Sequence, residues 1–359
     1  GDVASAIVRQ VAGTVGYFHH QGCCQLPPDL DRVTETLISL GKSPNVAAVL
    51  VVSLGCEGTD HERLTAEIRK TGKPVRIIRI QELGGVSAAI KAGIDAAQEL
   101  VMLVSGIQRQ PVSIDRITMA IKCGASDTTS GMASNCVVGY VADKLVDLGA
   151  TVVFGETTEF LGGEHLLARR AVDPEVSDKI YEIVNRMEAR ARSLGCDMRK
   201  GQPTPGNIEG GLSSIEEKSL GAIVKSGTRP IQGVMEYPET IGQRKGLWIK
   251  DTPGREPEIL TGMAATGAQF MMFSTGRGAP QGFPTMPVLK VCGNPNTYER
   301  MSHDMDINAG RIITGEKSIE EVGEEAFSAI LDLLSGKQTK NETLGYHSSI
   351  DIYTLGPVI

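Results

Sequence analysis

The sequence predicts an α/β fold built on parallel sheet, and three features lead there. Short Val- and Ile-rich runs alternate with longer stretches of helical periodicity along most of the chain. The runs are apolar throughout, as strands covered by helices on both faces are, and lack the in–out alternation of a half-exposed sheet. Several end in a polar turn just before the next helix, the pattern of βαβ units. With 359 residues, more than one ordinary core accommodates, we expect a Rossmann-like parallel-sheet domain over 1–111 and a larger α/β domain over 112–359.

Residues 2–11 read as a short helix. A strand is expected at 13–19, a helix at 31–41, a strand at 46–54, a helix at 61–71, a strand at 75–80 and a helix from Val86 to Glu99 or beyond. Crossovers of this kind are right-handed, so the strands run parallel. Residues 105–111 are polar and close on Pro111, which places the domain boundary there. Beyond it the pattern gives a strand at 114–122, a helix at 132–148, a strand at 151–154 and a long helix at 173–194. A helix at 214–224 is opened by Ser213 or Ser214, with Glu217 completing a capping box. Strands follow at 230–235 and 246–249, a helix at 258–267, strands at 268–273 and 286–291, a strand-like Arg311-Ile312-Ile313, and a helix at 318–334. Residues 201–207 and 274–282 are too rich in Gly and Pro for regular structure, and read as lids or as long connections.

A net charge of −7, without any Lys/Arg-rich stretch interleaved with aromatics, argues against nucleic-acid binding. No segment approaches the roughly 18 apolar residues of a membrane span, and no signal-peptide pattern opens the chain, so a cytoplasmic protein is expected. Seven cysteines without framework spacing suit reduced thiols.

Two strand-to-helix junctions concentrate the chemistry: residues 123–131, Cys-Gly-Ala-Ser-Asp-Thr-Thr-Ser-Gly, and residues 154–165, which hold Glu156, Glu159, Glu164 and His165. Open α/β sheets bind ligands at such places. Glu156, Glu159 and His165 can gather round one divalent cation of the Fe²⁺, Mn²⁺ or Mg²⁺ type, or the two acids can cap the helix that follows. Ser126, Asp127, Thr128 and Thr129 offer hydroxyls and N–H groups to a carboxylate, or simply an N-cap. Arg277, with Lys218 and Lys225 as alternatives, can grip a second anionic group. Cys23, Cys56 and Cys123 each follow an expected strand, as small buried residues or as site thiols. An iron–sulfur cluster on the three is the lesser alternative to a single cation, for no diagnostic spacing supports it. His19 lies near a strand end, Glu57 and Glu82 stand at analogous junctions, and Asp304 and Asp306 form an acidic loop that is a second metal site or a structural turn.

These segments, with Pro203-Thr-Pro-Gly-Asn207, Ile215-Glu-Glu-Lys-Ser-Leu-Gly221, Ser274-Thr-Gly-Arg-Gly278 and Asp304-Met-Asp-Ile-Asn-Ala-Gly310, resemble the altronate/galactarate dehydratase family. That family also holds the large subunit of sulfolactate sulfo-lyase. The resemblance runs in order along nearly the whole chain. It implies a Rossmann-like domain followed by a larger domain of family-specific fold, and a lyase that removes a group, usually water, from C3 of a 2-hydroxy acid with iron or another divalent cation. Family members carry a small β-rich SAF domain, fused or as a separate subunit. None is recognisable here, and Gly1 begins at the first helix, so a large subunit, whole or trimmed, with a small partner is expected. Homo-oligomerisation is expected as well. Glu156, Glu159 and His165, with His19 or Cys123, are then expected to bind metal or move protons, while Asp127 and Arg277 hold the substrate. A sugar acid such as altronate or galactarate is the leading substrate, sulfolactate the alternative, and a noncatalytic sugar-acid binding or scaffold subunit the reading from another class.

Overall fold

The computed structural model describes residues 1–346 and 350–357, and two parallel sheets organise them. The first pairs β1 (Val49–Ser53) with β2 (Val75–Arg79). Its side chains alternate between two apolar layers: Val49, Val51 and Val75 face helices Pro27–Lys42 and His61–Arg69, while Leu50, Val52 and Ile78 face Asp2–Gln10 and Val86–Val104. The strand expected at 13–19 does not form. Gly13 sits at φ +81°, and Tyr17 turns away to pack on Phe283 and share a hydrogen bond with Thr285, which fastens this segment to the larger sheet.

The larger sheet comprises β3 (Thr118–Gly124), β4 (Thr151–Phe154), β5 (Ile231–Met235), β6 (Gly246–Lys250), β7 (Phe270–Thr275), β8 (Val288–Cys292) and β9 (Ile307–Asn308). Their order is β5-β6-β4-β3-β7-β8-β9, with every pairing parallel. Met119, Ile121, Val152, Phe154, Phe270 and Met272 pack on one layer, with helices Asn135–Asp147, Pro174–Ser193 and Ile319–Leu334. Ala120, Val153, Met271 and Phe273 pack on the other, with Glu256–Ala265 and with Leu40 of Pro27–Lys42. Each such fully buried large apolar side chain contributes about 1.5–3 kcal/mol. Both faces are covered, which is why these strands read as continuous apolar runs.

Caps fall close to where the sequence puts them. Asp173 accepts from Val176 N, and Ser318 and Glu321 form a reciprocal box. Ser214 accepts from Glu217 N, but the Glu217 carboxylate turns back to Ser213 N and not to the cap residue. Three further expectations need correction. Residues 114–116 form a short 3₁₀ turn ahead of β3, because Ile114 docks on the core before the strand begins. Residues 311–313 belong to a short helix, Gly310–Ile313, that follows β9. The Gly/Pro-rich stretch at 201–207 contains a helical turn, Pro205–Glu209, set by a Thr204–Asn207 capping box with Pro205 at its first position. No helix among the described residues is long and apolar enough to cross a membrane.

The chain leaves β3 toward β4 on one side and returns to β7 on the other, so the topological switch lies between β3 and β7. The loops leaving their C-terminal ends meet there: Arg277 N donates to Ala125 O at 2.8 Å. Gly276 is required at this crossing, since a Cβ on it would lie 1.9 Å from Asp127 Oδ1.

Candidate active site

β3 is buried along its whole length, so its last residues arrive in the interior, Lys122 on one face and Cys123 on the other. Beside it, Gly155 and Glu156 follow the end of β4, and Glu156 adopts a left-handed backbone at φ 70°. That conformation is strained for a residue with a side chain, and the end of β6 holds it. Glu156 N donates to Thr252 Oγ1 at 2.8 Å, Thr157 N to Thr252 O at 3.0 Å, and Thr157 Oγ1 to Asp251 Oδ1 at 2.6 Å. The 3₁₀ turn Thr157–Glu159 then delivers Glu159. Lys225 comes from the opposite side, in the turn Val224–Ser226 after helix Ile215–Ile223. Gly139 admits that turn, because a Cβ there would stand 2.4 Å from Val224 O.

These elements close a buried ion cluster. Lys225, with 0% exposure, uses its three N–H donors on Cys123 Sγ (3.0 Å), Glu156 Oε2 (2.6 Å) and Glu159 Oε2 (2.7 Å). Lys122, equally buried, donates to Glu156 Oε1 (3.1 Å) and to the Cys123 carbonyl (2.8 Å), and lies 3.5 Å from Glu256 Oε1. Cys123 N donates to Glu156 Oε2 and the Cys123 thiol to Glu159 Oε2, each at 2.9 Å. Two carboxylates thus meet two ammonium groups, each of the four hydrogen-bonded within the cluster, the condition under which buried charge is tolerated.

The neighbours drive the two acids apart. Burial raises the Glu156 carboxyl, the Glu159 charge adds to that, and Lys122 and Lys225 do not cancel it. Burial also acts upward on Glu159, but Lys225 and Lys218 outweigh it and hold that carboxyl at about 2. Burial, then Glu159, push the Cys123 thiol well up, so it stays protonated. Burial pulls Lys122 and Lys225 down, yet the surrounding anions prevail and both stay charged.

Lys218 stands between the cluster and a neighbouring recess. Its Nζ lies 4.0 Å from Glu159 Oε1, and it lines this recess of about 290 Å³ with Ser126, Asp127, Thr128 and Ser130.

Cys123, Glu156 and Glu159 offer a thiol sulfur and two carboxylate oxygens within 4.8 Å of one another, a group that could hold a metal ion and the sole such group among the described residues. The Lys225 ammonium already donates to all three of those groups. With Lys225 in place the set does not fit a divalent ion, which would bring two further charges within about 3 Å of an ammonium at a steep Coulomb cost.

Of the residues the sequence marks, Cys123, Glu156 and Glu159 come together, and Lys218, Ser126, Asp127 and Thr128 line the adjoining recess. The others do not join them. His165 is exposed on the short helix Glu164–Ala168, because the turn that buries Glu159 ends before it. His19 lies in the loop expected as a strand, half-buried and lowered by desolvation. The Asp127 carboxylate accepts from Thr129 Oγ1 (2.6 Å), Ser130 N (3.1 Å) and Asn294 Nδ2 (2.9 Å), so Asp127 and Thr129 brace the helix start and the loop crossing. The Arg277 guanidinium is committed to Gly206 O (2.8 Å) and Glu209 (2.7 Å). Cys23 and Cys56 are exposed and apart from the buried Cys123, so the three thiols form no iron–sulfur site. Glu57 closes the turn after β1 by accepting from Leu54 N and Gly55 N, and Glu82 is an exposed partner 3.7 Å from Arg79. Asp306 accepts from Lys290 N and Lys340 N as a structural turn, and neither it nor Asp304 belongs to a metal-holding group among the described residues.

Sequence reasoning did not single out Lys122, and Lys225, offered there as an alternative to Arg277 for an anionic group, has Glu156 and Glu159 of the chain itself as its anionic partners. The available signal was Lys122 itself, a lysine inside an apolar strand, which needs an internal counter-charge.

The D-galactarate/altronate dehydratase C-terminal domain matches residues 114–358, and the second domain of D-galactarate dehydratase/altronate hydrolase matches residues 2–105. The chain belongs to the D-galactarate/altronate dehydratase family. Among relatives, the (2R)-sulfolactate sulfo-lyase subunit beta of Chromohalobacter salexigens is 38% identical over 349 residues, covering 97% of this chain and 89% of its own length. The galactarate dehydratase (L-threo-forming) of Escherichia coli is 35% identical over 331 residues, 90% of this chain and 63% of the enzyme. The altronate dehydratase of Bacillus subtilis is 31% identical over 324 residues, 90% of this chain and 64% of the enzyme. The chain therefore spans less than two thirds of these two dehydratases.

Proposed function

We propose that this chain carries the active site of a lyase that eliminates a group from C3 of a 2-hydroxy acid. Its family membership and the buried cluster support this reading, and the observation that carries it is the opposite treatment of Glu156 and Glu159 by their surroundings. Elimination needs a base for the C2 proton, a positive environment for the enediolate charge and an acid for the leaving group. Glu159 is the base once the substrate carboxylate draws Lys218 onto itself, because that loosens one of the two charges that hold the Glu159 carboxyl at about 2. Glu156, whose carboxyl is raised, supplies the proton that the departing hydroxyl takes up, and the C2 proton collected by Glu159 returns to it through Lys225 Nζ, which donates to both carboxylates. Lys218 and the Ser126–Thr128 loop receive the substrate carboxylate in the recess. A divalent ion such as Fe²⁺, Mn²⁺ or Mg²⁺, implied by the family resemblance, would first have to displace Lys225.

The leading substrate is a sugar acid of the altronate or galactarate type, losing water to give a 2-keto-3-deoxy acid. Sulfolactate, giving sulfite and pyruvate, is a second reading, favoured by the 38% identity to the sulfo-lyase subunit. That relative is named as a subunit, and we propose a small SAF-domain partner here. The test mixes the chain with such a partner, with and without Fe²⁺, and screens altronate, galactarate and sulfolactate for keto acid or sulfite. One substrate should turn over, and Glu159→Gln should lower kcat by about 10²-fold or more. Turnover of none of the three, or a Glu159→Gln rate within twofold of the parent, removes the proposal in favour of a binding subunit.

A further inference from the structure

A second cavity lies at the opposite end of the strands from this cluster. It measures about 490 Å³ and opens where β3, β4 and β6 begin, with Thr118 and Thr151 at its wall and Lys245 just ahead of β6. Its other wall comes from the N-terminal part, through Ser39, Lys42, Ser43 and Thr71. Four cations line it, Lys42, Arg116, Arg244 and Lys245, and no Asp or Glu does, in a chain whose net charge is −7.

The cations are unequally committed. Lys42 pairs with Glu67 at 2.9 Å, and Arg244 lies 3.6 Å from Glu239 while donating to the Ile241 carbonyl. Lys245 donates only to the backbone carbonyl of Asp115, and the Arg116 guanidinium has no hydrogen bond or ion pair among the described residues. Asp115, whose carboxyl Ser113 and then Lys245 and Arg116 hold down, is the neighbouring acid, and it lies outside the lining. Between the cations stand seven Ser and Thr residues with Gln243 and Gln269; Ser39, Thr71, Thr151 and Thr266 give their hydroxyl protons to backbone carbonyls and so face a ligand as acceptors, and Gln269 Oε1 already accepts from Thr118 N. Cations with spare donors suit a doubly charged oxyanion, and the hydroxyls and amides suit a polyol. The volume matches a small-molecule site and exceeds what a free phosphate fills.

We propose that this cavity binds a phosphorylated polyhydroxylated metabolite of sugar-phosphate size, with its phosphate on Arg116 and Lys245 and its hydroxyls on the Ser/Thr/Gln wall. Both parts of the chain contribute groups, so the ligand ties the N-terminal part to the larger sheet at a distance from the chemistry. Isothermal titration of the full chain with glucose 6-phosphate, inorganic phosphate and glucose tests it, with the exposed-residue variant Arg116→Glu/Lys245→Glu alongside. Glucose 6-phosphate should bind with a sub-millimolar Kd, at least tenfold more weakly in the variant, and several-fold more weakly when salt rises from about 0.05 to 0.3 M. Glucose should give no heat, and phosphate should bind more weakly than the sugar phosphate. No binding of glucose 6-phosphate, equal affinity for phosphate alone, or an affinity unmoved in a variant that melts like the parent overturns the proposal.

Discussion

Replacing Lys225 by methionine isolates what its ammonium does, because the substitution keeps most of the buried stem and removes only the charge and three donors. Those donors serve Cys123 and Glu156, each 1% exposed, and Glu159, 6% exposed, so water replaces little of what is lost. Removing one partner from a buried charge pair costs about 3–5 kcal/mol, since the stranded anions keep their desolvation penalty. At about 2–4 °C per kcal/mol, typical of somewhat smaller chains, the midpoint of thermal unfolding should fall by about 10 °C. The pH dependence gives a second signature. Glu159 has its folded value at about 2, below its ordinary 4.5, so its contribution is present above about 4.5 and is lost as pH falls toward 2. A carboxylate held that far down contributes about 3 kcal/mol. Lys225→Met abolishes most of that term, so the gap between variant and parent should be widest near pH 7 and narrow below pH 4.5. Adding Glu159→Gln in the variant background should recover about 1–3 kcal/mol by removing the stranded charge. Thermal denaturation followed by circular dichroism at pH 7, 5 and 4 measures all three. A midpoint within 2 °C of the parent at pH 7, or a gap that does not change with pH, refutes the reasoning.

His165→Ala should leave both kcat and the melting midpoint within experimental scatter, since the imidazole is exposed and outside the cluster; a loss above tenfold in kcat would return it to the site. Gly276→Ala forces a Cβ against Asp127 Oδ1 and Ser130 Oγ, and should cost about 1–3 kcal/mol in urea unfolding together with activity. Lys250→Met should cost about 2–4 kcal/mol with little effect on KM, because its Nζ serves the buried acceptors Glu239 O, Gly262 O and Thr266 Oγ1, away from the recess. Equal stability of the Lys250 variant would mean those acceptors find other donors.

Most of the larger sheet could be read from the chain because its strands are short, β-branched and covered on both faces. The expected strands at 151–154, 230–235 and 246–249 differ from β4, β5 and β6 by no more than one residue at either end. The misplaced strand at 13–19 shows the limit of that signal. Tyr17 is apolar enough to suggest pairing, but its ring finds a better partner in Phe283, more than 260 residues away, and nothing local announces it. The seven-stranded order was equally hidden, because the jump from β6 across β4 and β3 to β7 is a matter of long-range packing.

The acids of the site could be read, but their counter-charge could not. Glu156, Glu159 and Cys123 stand at polar junctions, where functional groups are sought, and an acidic group with a nearby histidine suggests a metal. The positive charge comes instead from lysines in segments that look purely structural. Lys122, Lys250 and Lys290 sit on β3, β6 and β8, each after two apolar residues, and each is fully buried. Identical placement gives them different chemistry. Lys250 meets neutral acceptors and Lys290 the Phe273 ring and a carbonyl, so burial drives both well below the ordinary lysine range. Lys122 loses as much water but faces Glu156 and Glu256, and stays charged. A lysine within a doubly covered strand therefore announces an internal partner without naming it. Here the partner is decided by the left-handed turn at Glu156, which carries one carboxylate back over the end of β3 and leaves the other lysines without one.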